Sequence, residues 1–598
     1  MKKDLKWNLQ LLVKNELSLK EGRIKVEKET SSFVERWKKN PKYLRDASTL
    51  KQALDDYENW QRNYSTDGSE GYYYSLKLSQ NQIDPKIKAK FNSIYEFSNK
   101  LRVEISFFEL SLAKIDQKLQ TKFLNDRMLA PYKHLLEKLF LQSKHLLTEA
   151  EEKILILKSP TSYTNWIQMT SGFLSKEESS VLVGNKKEIK NFSEILNLMN
   201  DTDKNTRDSA AQVFNEILAK YKDVAEIEIN SILQNKKIDD DLRDFKRADE
   251  SRILNDDVTI GIVDVLIDTV SQRNDISQRF YKLKAELLGV EKLQYHERNV
   301  EVGEINKEYS FNESRDLVLK VFNNLDPEFE RVFERLLKNN QLDVYPYKGK
   351  RSGAFCAYNL ISQPTFVLLN HTDKLRDVLT LAHEMGHAIN NELIKERQNS
   401  LNFGTPTSTA EVASTFMEDF VLQEILKKAD DKLKLGILMT RLNDDVSTIF
   451  RQIACFKFEQ ELHSQFRAKG YLSHIEIGKI FQEKMADYMG PAVEQSKGSE
   501  NWWIYWNHIR SYFYVYSYAS GLLISKSLQG GVKENPQFIE KVKVFLSTGL
   551  SLSPKDIFLK LGIDIEDKEF WNKGLDEIEN LLTETEKLAK RVQLKNAN

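Results

Sequence analysis

The sequence predicts a mainly α fold with one small β-sheet placed just ahead of a central helix. Three observations predict it. Only 11 prolines and 23 glycines punctuate 598 residues, and Lys, Glu, Leu and Ile fill the long stretches between them, a composition that favours helices. Apolar residues recur at helical spacing, as at Leu101, Ile105, Phe108 and Leu112, and at Leu135, Leu139 and Leu146. Segments that look extended and broken by turns gather in one region, residues 295–370.

In chain order, residues 1 to about 160 read as a helical N-terminal lobe. Gly172, Gly184 and the alternation of Val181 and Val183 suggest a short hairpin within residues 162–190. The hairpin marks the expected boundary, with a helical lobe over 1–190 and a second domain over 191–598. Long helices resume from Asn205 to about Gly289, with no repeat of fixed period. Residues 301–303, 344–347, 353–358 and 365–369 then read as short extended segments, separated by turns at Pro346, Gly349 and Gln363-Pro364. An edge strand here could pair with an extended peptide, or the sheet could simply cover the helix that follows. Beyond Ser408 helices return, and Leu442, Val446, Ile449, Phe450, Ile453 and Phe456 keep core spacing. Trp502-Trp503-Ile504-Tyr505-Trp506-Asn507-His508 leads into five aromatic residues between Tyr512 and Tyr518.

Lys plus Arg number 88 and Asp plus Glu 89, so no bulk charge points to nucleic acid or a membrane surface as a partner. The two cysteines, Cys356 and Cys455, form no C-x-x-C pair, which argues against a disulfide framework and thiolate metal ligation. The basic start has an apolar run of only Leu11 to Val13 after it, too short for a signal peptide. No stretch reads as a membrane span. The expected location is the cytoplasm.

The central helix carries His383-Glu384-Met385-Gly386-His387. Residues four apart share a helix face, so two imidazoles can meet one metal ion while Glu384 acts on a water without being a ligand. The plain alternative is two surface histidines on an amphipathic helix. A catalytic zinc needs a third protein ligand and an open position. Glu392 and Glu396 lie on the same helix and cannot converge, and Asn390 and Leu393 stand where a metzincin would have Gly and His. Glu411 opens a second helix after the turn Gly404-Thr405-Pro406 and is the best-placed third ligand; the competing reading is a capping box with Ser408. Glu418, seven residues on, is a candidate for orienting a ligand histidine.

H-E-M-G-H followed by A-E-V-A-S-T resembles the thimet oligopeptidase family of zinc metallopeptidases, specifically its oligoendopeptidase F branch. Gly349-Lys350-Arg351-Ser352-Gly353, Phe450-Arg451-Gln452, Phe458-Glu459 with His463, and His508 with Phe513 to Ala519 look like signatures of that branch. The resemblance is strong from about residue 340 to 525 and loose over the first 190. It implies a two-lobed helical metallopeptidase with a deep central channel and one Zn2+ ion held by His383, His387 and Glu411. It also implies that a His and tyrosines near the C-terminal end donate to the oxyanion; His508, Tyr514 and Tyr516 are the expected donors, with Glu384 as base. The expected activity is cleavage of internal bonds in short, unstructured oligopeptides. A helical zinc carboxypeptidase and a catalytically silent peptide-binding protein are the alternatives.

Overall fold

A computed structural model describes residues 5–184, 186–303 and 307–597; the Met1–Asp4 start, read above as no signal peptide, lies outside them. Helices dominate, and local chemistry explains many of their starts. Asp46, Asp84, Asp116, Asp203, Thr259 and Ser473 each accept a first-turn amide with the side chain, satisfying donors that a helix leaves unpaired. No helix among the described residues is long and apolar enough to cross a membrane.

Strands are few and short. β1 (Glu178–Val183) and β2 (Lys186–Asn191) form the expected antiparallel hairpin, but Asn165–Leu174 just before it is helix. β3 (Leu293–Gln294) pairs parallel with β7 (Val493–Glu494). β4 (Leu342–Asp343), β5 (Phe355–Ala357) and β6 (Phe366–Leu368) make the sheet expected ahead of the central helix, in the order β4-β6-β5. β6 runs parallel to β4 and antiparallel to β5, so β5 is an edge. Residues 301–303 are not a strand, since Gly303 turns at φ +87°. Within the same region Phe311–Leu325 and Pro327–Lys338 are helices. The Ser310–Glu313 capping box and Pro327 at the first helical turn, both legible signals, start them.

The chain forms two compact units, each built from separated segments: 1–144 with 306–427 and 531–563, and 145–305 with 428–530 and 564–598. A single cut at residue 190 does not follow this division. In the first unit the N-terminal segment packs on the β4-β6-β5 sheet. The Trp7 indole donates to Val367 O at 2.8 Å, and Tyr72 Oη donates to Ala357 O at 2.8 Å. Trp7, Leu9, Tyr72 and Leu76 share an apolar cluster with Phe366 and Leu368. From the other end of the chain, Asn390 Nδ2 donates to Leu546 O at 2.5 Å and Leu550 N to Asn402 O at 2.9 Å. The second unit is organised on the 39-residue helix Lys204–Leu242 and the helices Phe450–Lys469 and His474–Met489. The expected core residues Leu442, Val446, Ile449, Phe450, Ile453 and Phe456 are all buried.

Candidate active site

The Leu375–Arg397 helix presents His383 and His387 on one face, ring centroids 5.0 Å apart. Glu411 sits at the N-cap of the Val412–Leu426 helix. Its Oε2 lies 3.3 Å from His383 Nε2 and 3.5 Å from His387 Nε2. The competing capping box does not form, because Glu411 makes no cap bond and the buried Ser408 Oγ has no hydrogen-bond partner among the described residues. Glu411 is instead held from its own helix. Ser414 Oγ donates to its carboxylate at 3.0 Å, and Thr415 Oγ1 to its carbonyl at 2.7 Å. His383 Nδ1 lies 3.1 Å from Glu418 Oε2, which leaves Nε2 to face Glu411.

Two imidazole nitrogens and one carboxylate oxygen, mutually within 4.8 Å, are the donor set that suits zinc with one position open. Burial opposes charge on His383, but Glu411 and Glu418 outweigh it and raise this imidazole to about 10. Burial likewise opposes charge on Glu411, and the two histidines overcome it, holding its carboxyl well below the usual range. Asp208, His296 and Glu297 also converge. That cluster is filled by cations: Lys204 Nζ lies 2.9 Å from Asp208, and Arg207 2.8 Å from Glu297.

Glu384 is buried at 7 % exposure and stands outside the converging set. Burial lifts its carboxyl above the ordinary range, the two histidines pull it back, Glu411 adds to the rise, and the Cys356 N–H donates to it. Cys356 is the middle residue of edge strand β5, so the prospective base and the strand edge are adjacent. The loop entering β5 is pinned by Lys350, whose ammonium donates to Asp343 Oδ1 at 2.7 Å with both side chains fully buried. That pair gives a structural reason for the G-K-R-S-G stretch.

Gly386 lies inside the Leu375–Arg397 helix, where a glycine is a signal in itself. A Cβ there would stand 2.7 Å from Ala413 O and 2.7 Å from Ser414 Cα, both backbone atoms. Its absence lets the helix that follows Glu411 cross close to the two histidines. Alanine in a helix normally gains about 1 kcal/mol over glycine, but neither contact can swing aside, so Gly386→Ala should instead lose roughly 1–3 kcal/mol by overpacking and loosen Glu411. Thermal unfolding and metal content check this; a rise in Tm with full metal would refute it.

The second unit carries the expected donors. Tyr514 Oη lies 2.9 Å from His508 Nδ1 and 3.2 Å from Tyr518 Oη. Tyr516 is not brought to this cluster: it is 1 % exposed, and its hydroxyl donates to Asp256 Oδ2 at 2.9 Å. Tyr518, four residues beyond Tyr514, stands in this cluster instead. Burial, with Arg451 adding, keeps His508 below its ordinary pKa, and burial raises the Tyr514 phenol. Both are therefore neutral groups near pH 7.

Residues 197–577 match peptidase family M3, and residues 112–171 match the family described as Oligopeptidase F. The chain is 27% identical over 570 residues to an oligoendopeptidase F homolog of Borreliella burgdorferi, covering 94% of each. It is 24% identical to the plasmid oligoendopeptidase F of Lactococcus lactis subsp. cremoris, covering 87% of each. The fold is shared with a solved structure from Chlamydophila abortus, at TM-score 0.85, 22% identity and 98% coverage of both chains. It is shared also with oligoendopeptidase-F from Enterococcus faecium, at TM-score 0.70, 19% identity and coverage of 96% and 99%. With the family match spanning more than half its length, the chain belongs to peptidase family M3, within the oligoendopeptidase F group of zinc metallopeptidases.

Proposed function

We propose that this protein is a zinc-dependent endopeptidase that cleaves internal bonds of short, unstructured oligopeptides. The observation that carries the reading is the convergence of His383, His387 and Glu411 beside a buried carboxyl, Glu384, that is not one of them. A zinc ion held by those three residues would supply Lewis acidity toward a carbonyl and a water at neutral pH. Glu384 takes the proton of the attacking water and returns one to the leaving amine. Glu418 fixes the tautomer of His383 by accepting from Nδ1, and Ser414 and Thr415 keep Glu411 in place. The β5 edge pairs with the extended peptide through main-chain groups other than the Cys356 N–H, which Glu384 already holds, and such bonds tolerate many sequences.

The linked pair His508–Tyr514 is proposed to donate to the oxyanion that develops on the scissile carbonyl, one of its two protons holding the pair together and the other turned to the substrate. Tyr514→Phe should then lower kcat by about a hundredfold with little change in KM. Tyr516→Phe should leave kcat near wild type and cost about 0.5–1.5 kcal/mol of stability, because Asp256 loses one hydrogen bond and keeps its ion pair with Arg252. Steady-state kinetics with thermal unfolding separates the two; wild-type kcat in Tyr514→Phe removes the donor role.

The reading as a whole is tested with a mixed pool of short peptides, incubated with and without a chelator, with cut positions mapped by mass. Internal cuts that vanish with the chelator are expected. Trimming only from C-terminal ends would favour the carboxypeptidase alternative, and no cleavage at full zinc would favour a peptide-binding protein.

A further inference from the structure

Tyr512 and Phe513 both lie in the left-handed region, at φ 48° and 58°. Two successive residues with β-carbons rarely stay there unless their surroundings force them. The forcing contacts can be named. Phe513 N donates to Glu459 Oε2 at 2.7 Å. Phe513 is fully buried, with its ring 5.5 Å from that of Phe456 and 4.7 Å from that of His463. Tyr512 Oη donates to Ile232 O at 2.9 Å. On the near side of the turn, Arg510 reaches Glu228 at 2.5 Å and donates to the carbonyls of Trp506 and Ile504 at 3.1 and 3.0 Å.

Glu459 is the unusual member of this set. It is 1 % exposed on the Phe450–Lys469 helix, among the buried Phe456, Phe458 and Leu462. Its second oxygen has no hydrogen-bond partner among the described residues. A buried carboxyl that makes one hydrogen bond is costly, and an apolar side chain would be cheaper there. Its recognisable role is that bond, without which the buried Phe513 amide would be an orphan donor. Burial pushes the carboxyl up to about 8, with the Phe513 amide and Arg252 working the other way. It is therefore largely neutral at pH 7.

We propose that Glu459 is a positioning residue: by holding the Phe513 amide it fixes the Tyr512–Phe513 turn, and the turn aims the Tyr514 hydroxyl at His508. The proposal rests on the reading of His508 and Tyr514 as oxyanion donors. It gives a task to the Phe458-Glu459 and His463 signature, which the metal chemistry leaves unused. His463 backs the same turn with its ring, and burial keeps it uncharged, its pKa far below the ordinary value.

The test compares Glu459→Gln, which keeps an acceptor of the same shape, with Glu459→Leu, which fills the space without one. Glu459→Ala substitutes if the leucine variant does not fold. Full-length proteins are assayed for kcat, KM and zinc content, and the Phe513 amide is followed by hydrogen exchange. Glu459→Gln should stay within about threefold of wild type, whereas Glu459→Leu should lose about tenfold to a hundredfold in kcat at unchanged zinc and similar KM. Its Phe513 amide should exchange faster. Combined with Tyr514→Phe, the leucine change should add less than about threefold, because both act through one hydroxyl. Wild-type kcat in Glu459→Leu beside an impaired Tyr514→Phe would overturn the positioning role and leave the donors standing. Full additivity of the two would overturn it as well. Wild-type kcat in both variants would remove the donor reading, and the positioning role with it.

Discussion

Glu384→Gln should yield a folded protein that binds zinc and peptide but turns over about two to four decades more slowly, or worse. The amide keeps the volume and one acceptor for the Cys356 N–H, so the strand edge should stay in place. It cannot take a proton. Glu384 is also the only carboxyl of the H-E-M-G-H turn, so no neighbour in that turn substitutes for it. The measurement is single-turnover cleavage of a peptide alongside zinc content and peptide binding. Retained turnover at full zinc would remove Glu384 from the role of base, whereas loss of zinc would show that the substitution disturbed the metal centre.

The second large effect concerns the ligands. His383→Ala, His387→Ala and Glu411→Ala each delete one of three converging donors, so each should lower bound zinc and reduce cleavage at least as far as Glu384→Gln does. Glu418→Gln removes only the group that orients His383, and should cost about tenfold to a hundredfold in zinc affinity. Elemental analysis with metal titration ranks the four. Full zinc in Glu411→Ala would move the third ligand elsewhere.

The parts of this site that could be read in the sequence are those set by local periodicity. The i, i+4 spacing of His383 and His387 needs only a helix, and Glu411 needs only a turn and a second helix start. Ser414 and Thr415 lie three and four residues past Glu411, a spacing that could have been read as well. The tyrosine register could not be read in the same way. Between His508 and Tyr516 the backbone passes from the short helix Asn507–Arg510 through two left-handed residues, and no single period survives that passage. Counting along the chain thus favoured Tyr516, whose hydroxyl is spent on Asp256, over Tyr518. The division into units was hidden for another reason. Trp7 and Val367 are 360 residues apart in sequence, and nothing local to either announces the other. Nor did composition separate the sheet from the two helices embedded in its region, although the Ser310–Glu313 box and Pro327 mark their starts.

The assembly of one unit from three distant segments bears on how the protein is made. The Leu375–Arg397 helix leans on residues near the N-terminus through the sheet, and Asn390 bonds to Leu546. During synthesis the segment 1–144 must wait for partners as far along as residue 563, an interval of tens of seconds at roughly 5–20 residues per second. A nascent chain therefore carries His383 and His387, the proposed metal ligands, long before their surroundings can close. A chain truncated after Gly530 should hold zinc poorly and be digested readily by an added protease; tight zinc binding by that fragment would contradict this. On the ribosome, this peptidase should stay inactive until its last helices emerge, and so be unable to cleave neighbouring unfinished chains.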